Sequence, residues 1–260
     1  MEIITSAQNQ WVLEARKLQQ KKFREAKGLF LVEGLRLAEE AAKSAFVEEV
    51  YYHETLGATE RGEELLKTLS AKARRFFQVT SKVLNTLTET ETPQGIVLVC
   101  RCASSSLKDF HPEEGPVVVL DGLQDPGNLG TILRTLWAAG GKGLICLHGS
   151  ADPYGGKAVR SSMGGIFHLP VFTDVTWSIA ARWALDQGYQ TVAADAGGGR
   201  DYRKLAWQGK TLLCIGNEAR GLLTIPLAEV DERVFIPLAQ GAESLNAAVA
   251  AGILIYEALR

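Results

Sequence analysis

Five short apolar, β-rich runs, at 117–120, 144–147, 191–194, 212–215 and 233–236, alternate with helical patterns at 129–139, 156–163, 176–187 and 246–259. Strands separated by helices are joined by crossovers rather than hairpins, so they line up in parallel beneath layers of helix. The carboxy-terminal part of the chain is therefore expected to be an α/β domain on a parallel sheet. In open sheets of this kind ligands bind beyond the carboxyl ends of the strands. Glycines crowd the loops that follow the first two strands, in 122–165, and chemistry is to be sought there.

Residues 103–116 (Ala-Ser-Ser-Ser-Leu-Lys-Asp-Phe-His-Pro-Glu-Glu-Gly-Pro) have the small, polar, proline-bearing composition of a linker. The expected division is a domain over 1–103, a linker over 104–116 and a second domain over 117–260. Ahead of the linker, a polar helical stretch (9–27) precedes Phe30-Leu31-Val32-Glu33-Gly34, a helix near 35–44, a strand at 47–52, a helix near 60–73 and short strands around 75–79 and 95–100. That pattern is a small α/β domain. With 46% hydrophobic residues in 260, the chain can fill two cores. No apolar run reaches the ~18 residues of a membrane span, and the opening residues lack a signal peptide's pattern. Cys100, Cys102, Cys146 and Cys214 form no CxxC motif and read as buried thiols, so a cytoplasmic protein is expected. His53, His111, His148 and His168 are scattered without ligand spacing, so no metal is expected.

Several nucleotide and nucleophile motifs are absent. Asp121-Gly122-Leu123-Gln124-Asp125-Pro126-Gly127-Asn128-Leu129-Gly130 lacks the GxGxxG spacing of a dinucleotide site. Gly155-Gly156-Lys157-Ala158 lacks the hydroxyl of a P-loop, and Arg160-Ser161-Ser162-Met163-Gly164 is not a nucleophile elbow. Three polar clusters remain, each after a strand: Asn128-Leu129-Gly130-Thr131-Ile132-Leu133-Arg134, Gly216-Asn217-Glu218-Ala219-Arg220-Gly221, and Ile236-Pro237-Leu238-Ala239-Gln240-Gly241-Ala242-Glu243-Ser244-Leu245-Asn246. In order, spacing and placement they resemble the SpoU/TrmH branch of the SPOUT RNA methyltransferases, over all of 117–260. Phe30-Leu31-Val32-Glu33-Gly34 is similar to the first strand of the substrate-binding domain, like ribosomal protein L30e, that many of these enzymes carry. The resemblance implies an S-adenosylmethionine-dependent 2′-O-ribose methyltransferase of ribosomal or transfer RNA. It also implies a trefoil-knotted α/β catalytic domain, a bent methyl donor among the knot loops, and a homodimer through that domain.

Methyl transfer to a ribose hydroxyl is an in-line displacement, so placement of the reactants should dominate. By resemblance, Gly216, Ile236 and Leu245 hold the methyl donor, with main-chain contacts from Leu238 and Ala247. Gly216 directly after Leu212–Ile215 suits close backbone approach, because a side chain there would fill the same space. The catalytic set carried over is Asn128, Arg134, Glu218, Ser244 and Asn246. Asn128 also suits a helix N-cap. On a helix opening near 128, Arg134 lies roughly 9 Å along the axis. Amid Ile132, Leu133, Leu136 and Trp137 it is either a paired buried charge or a phosphate clamp. A guanidinium with a pKa above ~12 is a poor base, which favours phosphate binding and stabilisation of the developing alkoxide. Glu218 can orient Arg134, cap a helix or accept the proton; the sequence does not rank these. Ser244 or Asn246 can cap the last helix, and Asn217 and Arg220 are assigned no chemistry.

The whole chain carries 28 basic and 30 acidic side chains, a formal charge of −2, so RNA has to be met by a local patch. Arg16, Lys17, Lys21, Lys22, Arg24 and Lys27 are opposed within their own stretch only by Glu25, and are expected to contact phosphates. Phe76 and Phe77 read as strand core, and Trp137, Trp177, Trp183 and Trp207 as core or interface anchors. Two rivals stay open at this stage: a relative that methylates a base nitrogen, and a catalytically silent RNA-binding or assembly factor.

Overall fold

The computed structural model describes residues 3–44, 46–103 and 106–260. They form two compact units: one holds the described residues up to 103 together with Tyr154–Phe167, the other those from 106 to Pro153 and from His168 to Arg260.

In the first unit the polar stretch is two helices, α1 (Gln10–Lys17) and α2 (Lys21–Lys27), followed by β1 (Leu29–Glu33), α3 (Leu35–Lys43), β2 (Val47–Tyr52), α4 (Glu60–Ser70), β3 (Arg75–Gln78), α5 (Ser81–Leu84) and β4 (Ile96–Arg101). The sheet order is β1-β4-β2-β3, antiparallel except for the β2–β3 pair. The alternating pattern of β1 buries Phe30 and Val32, while β4 in the middle is buried from Ile96 to Cys100. α3 turns Leu37, Ala38, Ala41 and Ala42 inward, the spacing of one helical face.

The second unit runs β5 (Val117–Asp121), α6 (Pro126–Ala138), β6 (Gly143–Leu147), then a connection whose helix α7 (Gly156–Ser162) belongs to the first unit, then β7 (Val171–Val175), α8 (Trp177–Gln187), β8 (Gln190–Ala194), β9 (Arg200–Asp201), β10 (Thr211–Gly216), β11 (Glu232–Phe235) and α9 (Ala247–Glu257). The seven strands lie in the order β7-β6-β5-β10-β8-β11-β9, all parallel. Every residue of β5 and β6 is buried, as expected for central strands covered on both faces. The order reverses between β5 and β10, whose ends are in register with Gly216 opposite Asp121. That is a topological switch point, the place where such sheets open a crevice.

The stretch read as a linker is held against the second unit from residue 106 onward. Leu107 is buried in its core, Phe110 stacks on Trp183 at 5.4 Å, and the Trp183 and Tyr189 side chains donate to the carbonyls of Phe110 and Gly115. Residues 104 and 105 lie outside the described set. Trp177 and Trp183 are core residues, Trp207 is half-buried with its indole N–H on the Tyr202 carbonyl, and Trp137 stacks on His168 at 4.1 Å. Phe76 and Phe77 are half-buried in β3 and packed on Tyr52 and Tyr51. Burial pushes the Cys100 and Cys214 thiols well above their ordinary range, which makes them inert packing groups. No described helix is long and apolar enough to cross a membrane.

Candidate active site

Three turns meet at the switch point, and side-chain hydrogen bonds join them. The first follows β5. Asp125 caps α6 by accepting from the backbone N–H of Asn128 at 2.8 Å, and Pro126 takes the first helical position, where its missing N–H costs nothing. Asn128 is thus the third helical residue and not the N-cap expected, which leaves its side chain available. The second turn follows β10 and carries Glu218. The Glu218 carboxylate accepts from the backbone N–H of Gln124 (3.2 Å) and Asp125 (3.1 Å) and from Asn128 Nδ2 (3.1 Å). The third precedes α9. Asn246 Nδ2 donates to Asn128 Oδ1 at 2.9 Å, while Asn246 Oδ1 caps α9 by accepting from Ala248 and Val249. The chain Asn246–Asn128–Glu218 brings together three of the five catalytic residues expected.

Electrostatics narrows the role of Glu218. Partial burial raises its pKa, but the hydrogen bonds from its own backbone N–H, Asn128, Asp125 and Gln124 outweigh that and hold the carboxyl below its ordinary range. It is an anion at neutral pH, with its oxygens already committed to N–H donors, and it makes no bond to Arg134. Beside the three roles the sequence leaves open, the geometry shows a further one: Glu218 fixes the first turn ahead of α6.

Arg134 departs from one expectation. The helix opens at Pro126, so Arg134 lies about 12 Å along it. Ile132, Leu133 and Leu136 face the core, whereas Arg134 and Thr131 are exposed. The guanidinium is therefore not a buried charge, and no side chain among the described residues pairs with it. Ser244 sits in the exposed turn before Asn246, and its hydroxyl makes no hydrogen bond among the described residues.

The residues expected to hold the methyl donor occupy the same rim. Ile236 follows β11, Leu238 and Leu245 are apolar yet more than a third exposed, and Ala247 opens α9. Within 237–245 the one backbone hydrogen bond among the described residues is Ala242 N–H to the Ala239 carbonyl, so most main-chain donors and acceptors of this turn have no backbone partner and lie in the same segment as apolar side chains. That combination fits an uncharged amphipathic group such as an adenosine. Gly216 is required for a nearer reason than a cofactor: a Cβ there would lie 2.3 Å from the carbonyl carbon of Gly221.

Several residues to which the sequence reading gave no role help shape the site. Asn217 donates to the Gly122 carbonyl (2.9 Å) and accepts from Ala219 and Arg220, folding the Glu218 turn on itself. Gln124 Nε2 bonds the Gly122 and Gly149 carbonyls. Asp121 is fully buried and accepts from 223–225. Asp195, in the glycine-rich turn after β8, receives Arg233 at 2.5 Å, and β8 lies between β10 and β11, the strands that lead to Gly216 and Ile236. A carboxylate that ends an otherwise apolar run, as Asp121 does, was the available signal. Among the described residues no group of three His, Cys, Asp or Glu side chains is arranged to hold a metal.

In the first unit, Lys21, Lys22 and Lys27 are exposed on α2, as is Lys17 on α1, where Arg16 is half-exposed. Glu14, two residues ahead of the basic stretch, binds both Lys17 (2.5 Å) and Lys27, which hold its pKa down at about 2, and Glu25 pairs with Lys21 at 3.5 Å. Arg24 is the exception to the expected RNA contacts: it is buried and donates to the Leu18 carbonyl at 2.8 Å, joining α1 to α2. A buried guanidinium of this kind braces the helices and is not presented to a polyanion.

Comparison with known proteins agrees with both units. Residues 115–256 match the SpoU rRNA methylase family and residues 9–98 the MRM3-like substrate-binding domain. The chain is 34% identical to a 23S rRNA (guanosine(2553)-2′-O)-methyltransferase of Bacillus subtilis, covering 98% of each chain. It is 33% identical to the 23S rRNA (uridine(2479)-2′-O)-methyltransferase of Streptomyces viridochromogenes, over 90% of this chain and 83% of that one. The crystal structure of an AdoMet-bound rRNA methyltransferase from Sinorhizobium meliloti superposes with a TM-score of 0.88 at 35% identity, covering 99% of this chain and 97% of that one. A family match over more than half the chain, full-length identity above 30% and three polar turns meeting at one switch point have a single reading: this chain belongs to the SpoU rRNA methylase family.

Proposed function

We propose that the protein transfers a methyl group from S-adenosylmethionine to a ribose 2′-hydroxyl of structured ribosomal RNA. The observation that carries this reading is the hydrogen-bonded chain Asn246–Asn128–Glu218, which ties together the turns after β5 and β10 and the turn before α9. S-adenosylmethionine, when bound, supplies an electrophilic methyl on its sulfonium. Gly216, Ile236, Leu238, Leu245 and Ala247 would hold it, through apolar side chains and main-chain groups of 236–247.

The chain's own residues do the rest. Arg134, exposed and with no side-chain partner among the described residues, grips the phosphate next to the target ribose and stabilises the oxygen as it loses its proton. Glu218 and Asn128 keep the first turn rigid, so that Arg134 works from a fixed helix. Ser244, free in the exposed turn, contacts the ribose. In the first unit Arg16, Lys17, Lys21, Lys22 and Lys27 attract the RNA backbone. The protein acts as a cytoplasmic homodimer through the second unit; Val249, Tyr256 and Leu259 on and beside α9 are exposed apolar groups on the helix packed against α6, the helix that bears Arg134.

Mass-spectrometric comparison of ribosomal and transfer RNA from cells with and without the protein tests the reading. One ribose methyl missing from ribosomal RNA is the expected result. A missing base methyl, or no change together with no S-adenosylmethionine binding by calorimetry, overturns it. Arg134→Ala is expected to lower kcat at least ~100-fold while donor affinity stays within about two-fold.

A further inference from the structure

We infer that Asp121 is a positioning residue for methyl transfer: its buried carboxylate sets the turn that carries Glu218, and through it the distance at which Glu218 holds the Arg134 helix. The inference rests on the proposed reaction. Asp121 ends β5 and is wholly buried. Burying a carboxylate is costly unless donors replace its water. Here they are four: Oδ2 accepts from the backbone N–H groups of Leu223 (2.6 Å), Thr224 (2.8 Å) and Ile225 (3.1 Å), and Oδ1 from the Thr224 hydroxyl at 2.7 Å. Three successive N–H groups wrapped around one anion form a nest, a backbone shape the anion itself maintains.

The other end of the same turn is tied to the next residue. Asn217 donates to the Gly122 carbonyl, and Asn217 and Gly221 exchange backbone hydrogen bonds. Gly122 has a left-handed backbone (φ +70), and a Cβ on it would lie 2.4 Å from Leu223 Cδ1. Both ends of the turn are thus fastened to Asp121–Gly122, and Glu218 projects between them onto Gln124, Asp125 and Asn128. A shift of the nest moves Glu218 relative to Asn128, and a misplacement of about 1 Å can cost ~100-fold in rate. Asp121, fully buried, touches neither reactant, so its effect has to travel through this turn.

The test uses the full-length protein and the RNA identified above. Asp121→Asn keeps the volume but turns an amide toward N–H donors. The expected result is a folded protein whose kcat falls about ten-fold or more, with KM for RNA within about two-fold of wild type. If Asp121→Asn does not fold, Thr224→Val at an exposed position removes one bond; kcat is expected to fall about three-fold, with recovery in Thr224→Ser. Wild-type kcat in either folded variant, a rise in KM alone, or a rate loss matched by a smaller folded fraction overturns the inference. Hydrogen exchange of 217–226 separates this from failure of the proposed reaction. Faster exchange in Asp121→Asn supports the tether even if the wild-type protein methylates no RNA, and unchanged exchange overturns it.

Discussion

The charge state of one residue shows how local bonds decide chemistry. Glu218 stays ionised because four N–H donors outweigh the cost of its partial burial. Its folded pKa lies below the ordinary 4.5, so its contribution to stability is complete above that pH and is lost as the pH falls through the lower folded value. Glu218→Gln is expected to lower unfolding free energy by about 1 kcal/mol at pH 7, a figure discounted because the group is solvent-accessible. Urea titrations of both proteins should show that gap shrink as the pH drops below 4.5, and a gap independent of pH would remove the charge from the account. The resemblance to the methyltransferase family marked Glu218 as chemically active, in the turn that follows the β10 run. It did not reveal the partners, which lie ninety or more positions away at Gln124, Asp125 and Asn128. Asn217 carries no signal for a different reason: an amide that folds its own turn leaves no pattern in linear spacing.

At the scale of elements, the buried strands were legible and the exposed ones were not. β5, β6 and β10 are continuous apolar runs because both faces are covered. β7 has no continuous apolar run to mark it because it is an edge strand, with Thr173 and Asp174 exposed among its five residues. The start of α6 was placed too late because Asp125, Pro126 and Asn128 each suit a helix opening, and only the capping bond to Asp125 settles the order. The start of α9 separates stability from activity. Asn246→Asp keeps an oxygen for the N–H groups of Ala248 and Val249 but loses the donor to Asn128, whereas Asn246→Ala loses both. Thermal melts are expected to place Asn246→Asp near wild type and Asn246→Ala about 1 kcal/mol lower, with methyl transfer impaired in both. Full activity in Asn246→Asp would mean that the Asn128 link is dispensable. Gly216→Ala should be worse than either. Its Cβ meets backbone that has no rotamer to yield, so a loss of more than about 2 kcal/mol is expected in the same melts.

For the whole molecule, the division of the chain was only half visible. Nothing in the composition of 154–167 separates it from an ordinary crossover, yet Tyr154 and Phe167 pack on Phe30 at 5.0 and 6.1 Å, and Arg160 reaches Glu33 and Glu89. These are contacts of the first unit, made by residues that the sequence assigns to the second. Tyr154→Ala is expected to cost about 3 kcal/mol, read by urea unfolding, because it uncovers a buried aromatic ring. The distribution of charge makes a separate demand. A chain of net charge −2 has no global attraction for RNA, so affinity should depend on the few cations of α1 and α2 that have no carboxylate partner. Each phosphate contact adds roughly 0.7 to the salt slope of binding to single strands and 0.9 to duplex. Arg16, half-exposed and unpaired among the described side chains, should contribute fully, and Arg16→Ala is expected to flatten the slope by about that amount. Lys17 and Lys27 already share Glu14, so either substitution should change the slope by less, because binding a phosphate gives up a bond in hand. Arg24→Ala should leave the slope untouched and lower the melting temperature, since its guanidinium holds the Leu18 carbonyl between the two helices. Filter-binding or anisotropy titrations across 50–200 mM salt read all four variants against wild type. Equal slopes for Arg16→Ala and wild type would move the RNA-binding face away from these helices.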